Sequence, residues 1–251
     1  MKILEVRDVR KSFGNLHALD GVSFDIDEKS VMCLIGPNGS GKTTLINVVS
    51  GFYKADSGNV IMEGKDVTRL PPYKKFKIGL ARTFQIPSLF WKLTVLENLL
   101  AVERGNPGES FTKSLLKRAW LENEAEATDK ALALLDLLNL YEKWDAQAYN
   151  LSGGQMKLLE LGRVLMSGAK VVLLDEPISG INPTLAHEIF ARILKSRDEL
   201  GLTYLIVEHR LDIALDYVDS ITAMALGKVL ATGKPKAVLS DSRLIEAYLG
   251  A

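Results

Sequence analysis

One eight-residue segment constrains the fold of this chain more than any other: Gly36-Pro37-Asn38-Gly39-Ser40-Gly41-Lys42-Thr43. It follows the run from Ser30 to Ile35, which is typical of a strand that is buried on both faces. It precedes Lys42–Ser50, where we expect a helix that ends at Gly51. A glycine-rich loop between a buried strand and a helix indicates an α/β sheet with a phosphate-binding loop.

The residue types in this loop suit a phosphate ligand. Glycines let the backbone curl so that successive N–H groups converge on phosphate oxygens, and the following helix directs its positive dipole end to the same point. We expect Lys42 to reach the β- and γ-phosphates as a compact cation and the Thr43 hydroxyl to ligate Mg²⁺. A glycine-rich turn with a chance Gly-Lys-Thr is the alternative, which the flanking strand and helix disfavour. The predicted nucleotide contacts here are Gly36, Pro37, Asn38, Gly39, Ser40, Gly41, Lys42, Thr43 and Thr44.

A second apolar run, residues 171–174, ends in the acids Asp175 and Glu176. Acids at the carboxyl end of a central parallel strand lie at the rim where α/β sheets bind ligands. We expect Asp175 to hold Mg²⁺, and Glu176 to orient or deprotonate an attacking water. A helix N-cap before Pro177 is the alternative, and it would suffice for the pair alone. The phosphate loop earlier in the chain favours the catalytic interpretation.

A third motif, Ser152-Gly153-Gly154-Gln155, precedes an amphipathic segment that we expect to be a helix at residues 156–166. Unpaired N–H groups, a helix dipole and a hydroxyl together form an anion cradle. One nucleotide already has its phosphates at residues 36–43, so a second cradle indicates a nucleotide shared across a symmetric interface. The alternative is a plain serine-capped helix.

In this order and context, these motifs resemble those of the ABC-transporter ATPase family, and the resemblance covers essentially the whole chain. The matching segments are GPNGSGKT at 36–43, Gln85 in TFQIP, LSGGQ at 151–155, VVLLDE at 171–176 and His209 in VEHR. The resemblance implies an enzyme that binds and hydrolyses ATP with Mg²⁺.

The resemblance also implies roles for individual residues. Gln85 would contact Mg²⁺ and the attacking water and couple the site to membrane subunits, and His209 would contact the γ-phosphate. Lys42 and Glu176 complete the predicted catalytic set. Phe13 occupies the position of the aromatic residue that stacks on adenine, where tyrosine is usual; the alternative is a core phenylalanine on an edge strand.

The chain alternates strand and helix patterns except between residues 94 and about 149, where helical patterns prevail. We therefore predict an α/β P-loop NTPase core at residues 1–93 and 168–251, with an antiparallel β subdomain and an inserted helical subdomain at 94–167. The family's common Ser-Ala-Leu-Asp is here Ser179-Gly180-Ile181-Asn182. Asn182 suits the N-cap of a helix that begins at Pro183.

Charge and hydropathy limit the possible partners. Lysine and arginine total 31, as do aspartate and glutamate, so the net charge is zero, which argues against a general nucleic-acid binder. The tightest basic cluster, Lys74-Lys75-Phe76-Lys77, is interpreted as a solvated helix face. Neither a signal-peptide core nor an apolar run near the roughly 20 residues of a membrane span is present, so we expect a cytoplasmic protein held at the inner face of the cell membrane by permease subunits.

The transported substrate is only indicated by resemblance. Ala81-Arg82-Thr83-Phe84-Gln85 and the segments at 93–100, 180–183 and 245–250 resemble the branched-chain amino-acid uptake branch. Urea uptake and lipopolysaccharide export ATPases are similar, and a soluble ABC ATPase of iron–sulfur cluster assembly would carry the same motifs. The expected partners are integral permease subunits and a second ATPase subunit, in a homo- or heterodimer.

The segment that follows Gln85 is unusually apolar for a loop. It reads Ile86-Pro87-Ser88-Leu89-Phe90-Trp91. Exposed aromatic side chains commonly anchor interfaces, so we expect this loop to contact the membrane subunits; the alternative is a loop packed on its own core.

Overall fold

The computed structural model describes residues 1–83, 88–104 and 117–249, with the backbone alone for 117–122 and 248–249. The chain divides into two compact units, Met1–Gln85 with Lys170–Ala251, and Ile86–Ala169. The functional division at residues 94 and 167 stays a prediction. Gln85 lies outside the described residues, as do Ile86 and Pro87 of the apolar loop.

The first unit contains two sheets. A four-stranded antiparallel sheet has the order β2-β1-β4-β5, and its members are β1 (Lys2–Phe13), β2 (Leu16–Asp27), β4 (Ser57–Met62) and β5 (Lys65–Asp66). A six-stranded sheet has the order β10-β9-β3-β8-β7-β6. Its members are β3 (Val31–Ile35), β6 (Leu80–Arg82), β7 (Val171–Asp175), β8 (Thr203–Val207), β9 (Ser220–Ala225) and β10 (Lys228–Gly233).

Strand β3 lies inside the larger sheet. It pairs in parallel with β8 through Val31 and Tyr204, and with β9 through Met32 and Ser220. Every residue of β3, β7 and β8 is buried, as the continuous apolar runs predict. The carboxyl ends of β3, β7 and β8 share one edge, because parallel strands point the same way. That edge positions the site.

Helices complete the first unit: α1 (Lys42–Ser50), α2 (Pro72–Lys77), α6 (Pro183–Leu200), α7 (Leu211–Ala214), α8 (Pro235–Leu239) and α9 (Ser242–Leu249). The predicted start of α6 is confirmed, since the Asn182 side chain accepts a hydrogen bond from the Leu185 amide and Pro183 follows it. Residues 211–218 continue the alternation of strand and helix in the sequence, which predicts a helix there, but α7 ends at Ala214. The chain leaves it because the Asp219 amide must donate to Val31 at the start of the β9 pairing.

The second unit contains α3 (Val95–Leu100), α4 (Lys117–Leu137) and α5 (Gly153–Met166). Thr94 forms a capping box with Glu97 at the start of α3, as the spacing Thr94-Val95-Leu96-Glu97 predicts. On α5, a Cβ at Gly162 would lie 2.8 Å from Leu138 Cδ1, so only glycine permits this helix approach. The predicted fold class, an α/β P-loop core with an antiparallel sheet and a helical unit, is confirmed.

The interpretation of residues 74–77 as a solvated helix face is wrong for one lysine. Lys75 is fully buried, and its ammonium group donates to the Val49 carbonyl oxygen at 2.8 Å and to that of Val48 at 3.3 Å. These carbonyls belong to the last turn of α1, where a cation is favoured by the helix dipole. Lys75 therefore serves as a buried cap of the helix that follows the phosphate loop.

Candidate active site

The phosphate loop leaves β3 at Ile35 and enters α1 at Lys42. Two of its glycines are required by close backbone approaches. A Cβ at Gly36 would lie 2.1 Å from the Met224 carbonyl oxygen, and a Cβ at Gly41 would lie 2.5 Å from that of Ala18. Gly41 also has φ +102, a left-handed conformation that an L side chain rarely adopts. The backbone is therefore shaped by strand β9 and by the smaller sheet.

Lys42 is folded into the loop that precedes it. Its ammonium group donates to the carbonyl oxygens of Gly36 (2.8 Å) and Pro37 (2.9 Å) and to the Ser40 hydroxyl (3.3 Å). Burial lowers the pKa of Lys42, whereas the nearby charges of Glu176 and Asp175 favour its protonated form. The loop's own oxygens thus hold a cation at the position that the sequence predicts for phosphate binding.

Glu176 and His209 lie together. Glu176 follows β7, its amide donates to the Val207 carbonyl oxygen at the end of β8, and its Oε1 lies 3.0 Å from Nε2 of His209. Glu176 has φ +51, a conformation that costs a non-glycine residue on the order of 1–3 kcal/mol and is concentrated at functional sites. The carboxyl ends of β7 and β8 therefore bring a carboxylate and an imidazole together.

Asp175, the last residue of β7, has a partner that the sequence analysis did not identify. The Arg82 guanidinium, at the end of β6, donates through Nη2 to Asp175 Oδ2 at 3.1 Å; Asp175 is buried and Arg82 is partly buried. Burial raises the pKa of the Asp175 carboxyl, and the charge of Arg82 opposes that rise. The sequence analysis treated Arg82 only as part of a family resemblance, because its contact with Asp175 depends on the pairing of β6 with β7.

The phosphate loop, Glu176 and His209 line a cavity of about 420 Å³, whereas Asp175 and Arg82 are not among its lining residues. Of the predicted site residues, the cavity is lined by Phe13, Asn38, Gly39, Ser40, Gly41, Lys42, Thr43, Thr44, Glu176 and His209. It is also lined by Leu16, His17, Ala18 and Leu226, which the sequence analysis missed. Leu226 lies in the turn between β9 and β10, and nothing in its local sequence links it to a loop almost two hundred residues earlier.

Phe13 lies at the end of β1 and is 44% exposed, which is inconsistent with a core phenylalanine. Its ring meets that of Tyr53 edge to face, with centroids 5.4 Å apart and an interplanar angle of 74°. Lys11 Nζ lies 5.4 Å from the Phe13 centroid. The ring is thus held at the cavity wall by an aromatic neighbour and by a cation.

The Ser-Gly-Gly-Gln motif belongs to the second unit. Ser152 caps α5: its hydroxyl oxygen accepts from the Gln155 amide at 3.3 Å, and Gln155 Oε1 accepts from the Ser152 amide at 2.9 Å. A Cβ at Gly153 would meet no atom within 4 Å, so the first turn has open space beside it. Gly154 is buried. Within this box the serine oxygen acts as a hydrogen-bond acceptor.

The chain is similar to known transport proteins over its full length. The sequence profile of the ABC transporter family matches residues 19–179. A probable branched-chain amino acid transport ATP-binding protein of Archaeoglobus fulgidus is 49% identical over 100% of this chain and 96% of its own length. A protein of the same description from Methanocaldococcus jannaschii is 47% identical, covering 100% of this chain and 98% of its own.

A solved structure of an ABC transporter cassette is also similar to this chain. The ADP conformation of an ATP-binding cassette of an ABC transporter has a TM-score of 0.86 to this chain at 45% identity, and the match covers 100% of each chain. Among the helices of residues 1–83, 88–104 and 117–249, none is long and apolar enough to cross a membrane. The chain belongs to the ABC transporter family and is a nucleotide-binding ATPase of that family.

Proposed function

We propose that this ATPase drives uptake of branched-chain amino acids through permease subunits, using Mg²⁺-dependent ATP hydrolysis at the cavity beside α1. One observation supports the site above all. The cavity is lined both by the phosphate loop, with Lys42, and by the pair Glu176 and His209, which come from the ends of two other strands. A cation for the phosphates and a base for water thus face the same space, as phosphoryl transfer to water requires.

The oxygen donors near the loop fit Mg²⁺. This ion prefers hard oxygen ligands, and in nucleotide sites one or two protein groups and substrate phosphates hold it. The Thr43 hydroxyl in the first turn of α1 and the Asp175 carboxylate at the end of β7 are such donors. Gln85, proposed as a further ligand, lies outside the described residues. Bound Mg²⁺ would neutralise charge on the phosphates, and the two protein ligands would fix its position.

Glu176 is the proposed general base. Its carboxylate lies beside His209 in the cavity, and the backbone bond to Val207 fixes its position relative to β8. We assign His209 to the γ-phosphate, where an imidazole N–H can donate, and Lys42 to the β- and γ-oxygens. Phe13 offers a ring face to the base of the nucleotide, a contact worth about 1–3 kcal/mol. The backbone amides of residues 36–44 would cradle the phosphates.

The remaining elements point to partners. The cradle of Ser152, Gly153, Gly154 and Gln155 would contact the nucleotide bound by a second ATPase chain, so that two chains enclose ATP between them. ATP hydrolysis by this chain would drive conformational change in integral permease subunits that carry the substrate. The chain would then lie at the cytoplasmic face of the membrane, bound to those subunits. Branched-chain amino acids are proposed because both archaeal relatives named above carry that description.

The test is reconstituted transport. The chain, branched-chain amino-acid permease subunits and the matching binding protein from the same organism are placed in liposomes, and ATP-dependent uptake of radiolabelled leucine is compared with that of urea. We expect leucine uptake, and we expect Lys42→Ala to abolish it because the phosphates lose their cation. ATP-dependent urea uptake without leucine uptake would refute the substrate. Full uptake by Lys42→Ala would refute the site.

A further inference from the structure

Arg82 occupies a junction between three parts of the first unit. Its side chain is only 10% exposed, and its guanidinium contacts the Asp175 carboxylate at the end of β7. The same group also donates to Asn47 Oδ1, and to the Ser50 hydroxyl at 3.4 Å, both on α1. The ring of Phe52 lies 5.5 Å from its central carbon. One side chain thus joins the acid strand to the helix that begins at the phosphate loop.

The choice of arginine here has a physical consequence. Burying a charge is costly unless it is paired and hydrogen-bonded, and a buried ion pair contributes little net stability compared with apolar residues of similar volume. An arginine can, however, hold two partners in fixed directions, because its planar group carries five N–H donors. At this site the guanidinium donates to the Asp175 carboxylate and to the side chains of Asn47 and Ser50 on α1. The arrangement therefore fixes geometry more than it adds stability.

We propose that Arg82 is the positioning residue for Asp175: it holds the carboxylate in the orientation that binds the divalent cation accompanying ATP, while Asn47 and Ser50 hold Arg82. This inference rests on the proposed Mg²⁺-dependent site. Arg82 takes Oδ2 of Asp175, so this ion pair leaves Oδ1 for the cation or its water. Partners behind a metal ligand commonly set its orientation, and their loss costs about 10–100-fold in metal affinity.

A competing role makes the opposite prediction. If Arg82 only neutralised Asp175 until a cation displaced it, removing Arg82 would free the carboxylate and strengthen cation binding. If it served only to pack β6 against α1, its removal would lower stability without changing the dependence on Mg²⁺. The cation dependence of nucleotide affinity separates these roles, and it does not require turnover.

The experiment measures the affinity of a fluorescent ATP analogue across a series of Mg²⁺ concentrations and in EDTA. We expect Arg82→Met to raise the Mg²⁺ concentration for half-maximal effect about 10–100-fold, with affinity in EDTA nearly unchanged. The matched control is Arg197→Met, since Arg197 also pairs with acids, but these are Asp198 and Asp219 and not Asp175. An unchanged or lowered Mg²⁺ requirement in Arg82→Met would overturn the proposal.

Asn47→Ala is a milder variant, and it decides the matter if Arg82→Met does not fold. It keeps the Arg82–Asp175 pair but removes an acceptor that holds the guanidinium in place. We expect the Mg²⁺ requirement to rise in the same direction by a smaller factor, and an unchanged requirement would count against positioning. If the wild-type affinity itself did not respond to Mg²⁺, the proposed cation site would fail, an outcome distinct from a normal wild type with normal variants.

Discussion

At the scale of single residues, Lys75 is a charge that the site does not use directly. It is fully buried against the last turn of α1, and burial lowers its pKa from 10.5 to about 8. The unfolded chain therefore binds a proton more tightly than the folded chain does. Between pH 8 and 10.5 the unfolded state carries more protons at this group, so its contribution to stability rises with pH across that window.

Replacing this lysine isolates that contribution. In the wild type, Lys75 should raise the unfolding free energy by at most about 3 kcal/mol between pH 8 and 10.5. In Lys75→Met this increase should be absent. Urea unfolding at several pH values measures it, as the difference between the two proteins. Lys74→Met, an exposed neighbour on the same helix, should keep the wild-type slope. Parallel slopes for wild type and Lys75→Met would show that Lys75 does not titrate in this way.

Lys75 also illustrates what single residues reveal in a sequence. A run of three lysines around one phenylalanine gives no sign of which ammonium group turns inward, because that depends on a cluster of carbonyls supplied by another helix. Glu176, by contrast, could be assigned because it directly follows a buried strand, whereas His209 was assigned only through the family resemblance. The contact of Arg82 with Asp175 required the order of strands β6 and β7, which no local pattern contains.

At the scale of elements, the loop before α3 carries two half-exposed aromatic rings, and its backbone is hydrogen-bonded to α3. Asn98 is fully buried in α3, accepts from the Phe90 amide at 2.9 Å and donates to the Phe90 carbonyl oxygen at 3.0 Å. The Arg163 guanidinium lies 4.8 Å from the Phe90 ring centroid. Phe90 and Trp91 nevertheless stay 47% and 46% exposed. A fixed loop with two half-exposed rings suits a protein interface.

We therefore expect the double variant Phe90→Ala, Trp91→Ala to bind the permease subunits at least about 10-fold more weakly while the isolated chain keeps its ATPase rate. Co-purification with the permeases and a binding titration in detergent measure the loss. The matched control is Tyr141→Ala, Trp144→Ala, which removes two equally exposed rings of the same unit. If the Phe90→Ala, Trp91→Ala variant bound the permeases normally, this loop would not be the contact. Equal loss of binding in both double variants would show that the loop is not a specific contact.

Element boundaries were predictable where a side chain or a glycine sets them. The capping boxes at Thr94 and Ser152, the Asn182 cap and the left-handed Gly51 each have a local chemical cause. The end of α7 has no such local cause, because the Asp219 amide, five residues after α7 ends, bonds to Val31 of the distant strand β3. The helical span at 94–149 was visible as a change of pattern, but which of its helices touch required the structure.

At the scale of the whole molecule, the two proposed anion cradles belong to two separate units. If each chain binds one nucleotide at residues 36–44, as proposed, the cradle at Ser152 should serve a nucleotide held by another chain. Two chains would then be joined by ATP for as long as it stays uncleaved. A variant that removes the proposed base but keeps the shape of its side chain should therefore prolong the ATP-bound dimer.

Glu176→Gln should lower hydrolysis about 10²–10⁴-fold and leave nucleotide binding intact. Size-exclusion chromatography with ATP, with ADP and without nucleotide should show a dimer with ATP only, since ATP favours the paired state by mass action. The double variant Lys42→Ala, Glu176→Gln should stay monomeric throughout. The series is run alone and with any ATPase subunit encoded beside this one. A monomer with ATP in both series would contradict the shared site.

The order of strands in the larger sheet also has a consequence for synthesis of the protein. Strand β3, which ends in the phosphate loop, has β8 and β9 as its neighbours, and the Val31 amide donates to Asp219, 188 residues further along. A nascent chain that has passed α1 therefore cannot yet hold its phosphate loop in place. Pairing of β1 with β2 can begin early, whereas the nucleotide site must wait for most of translation. ATP binding by a newly made chain would thus mark the completion of its fold.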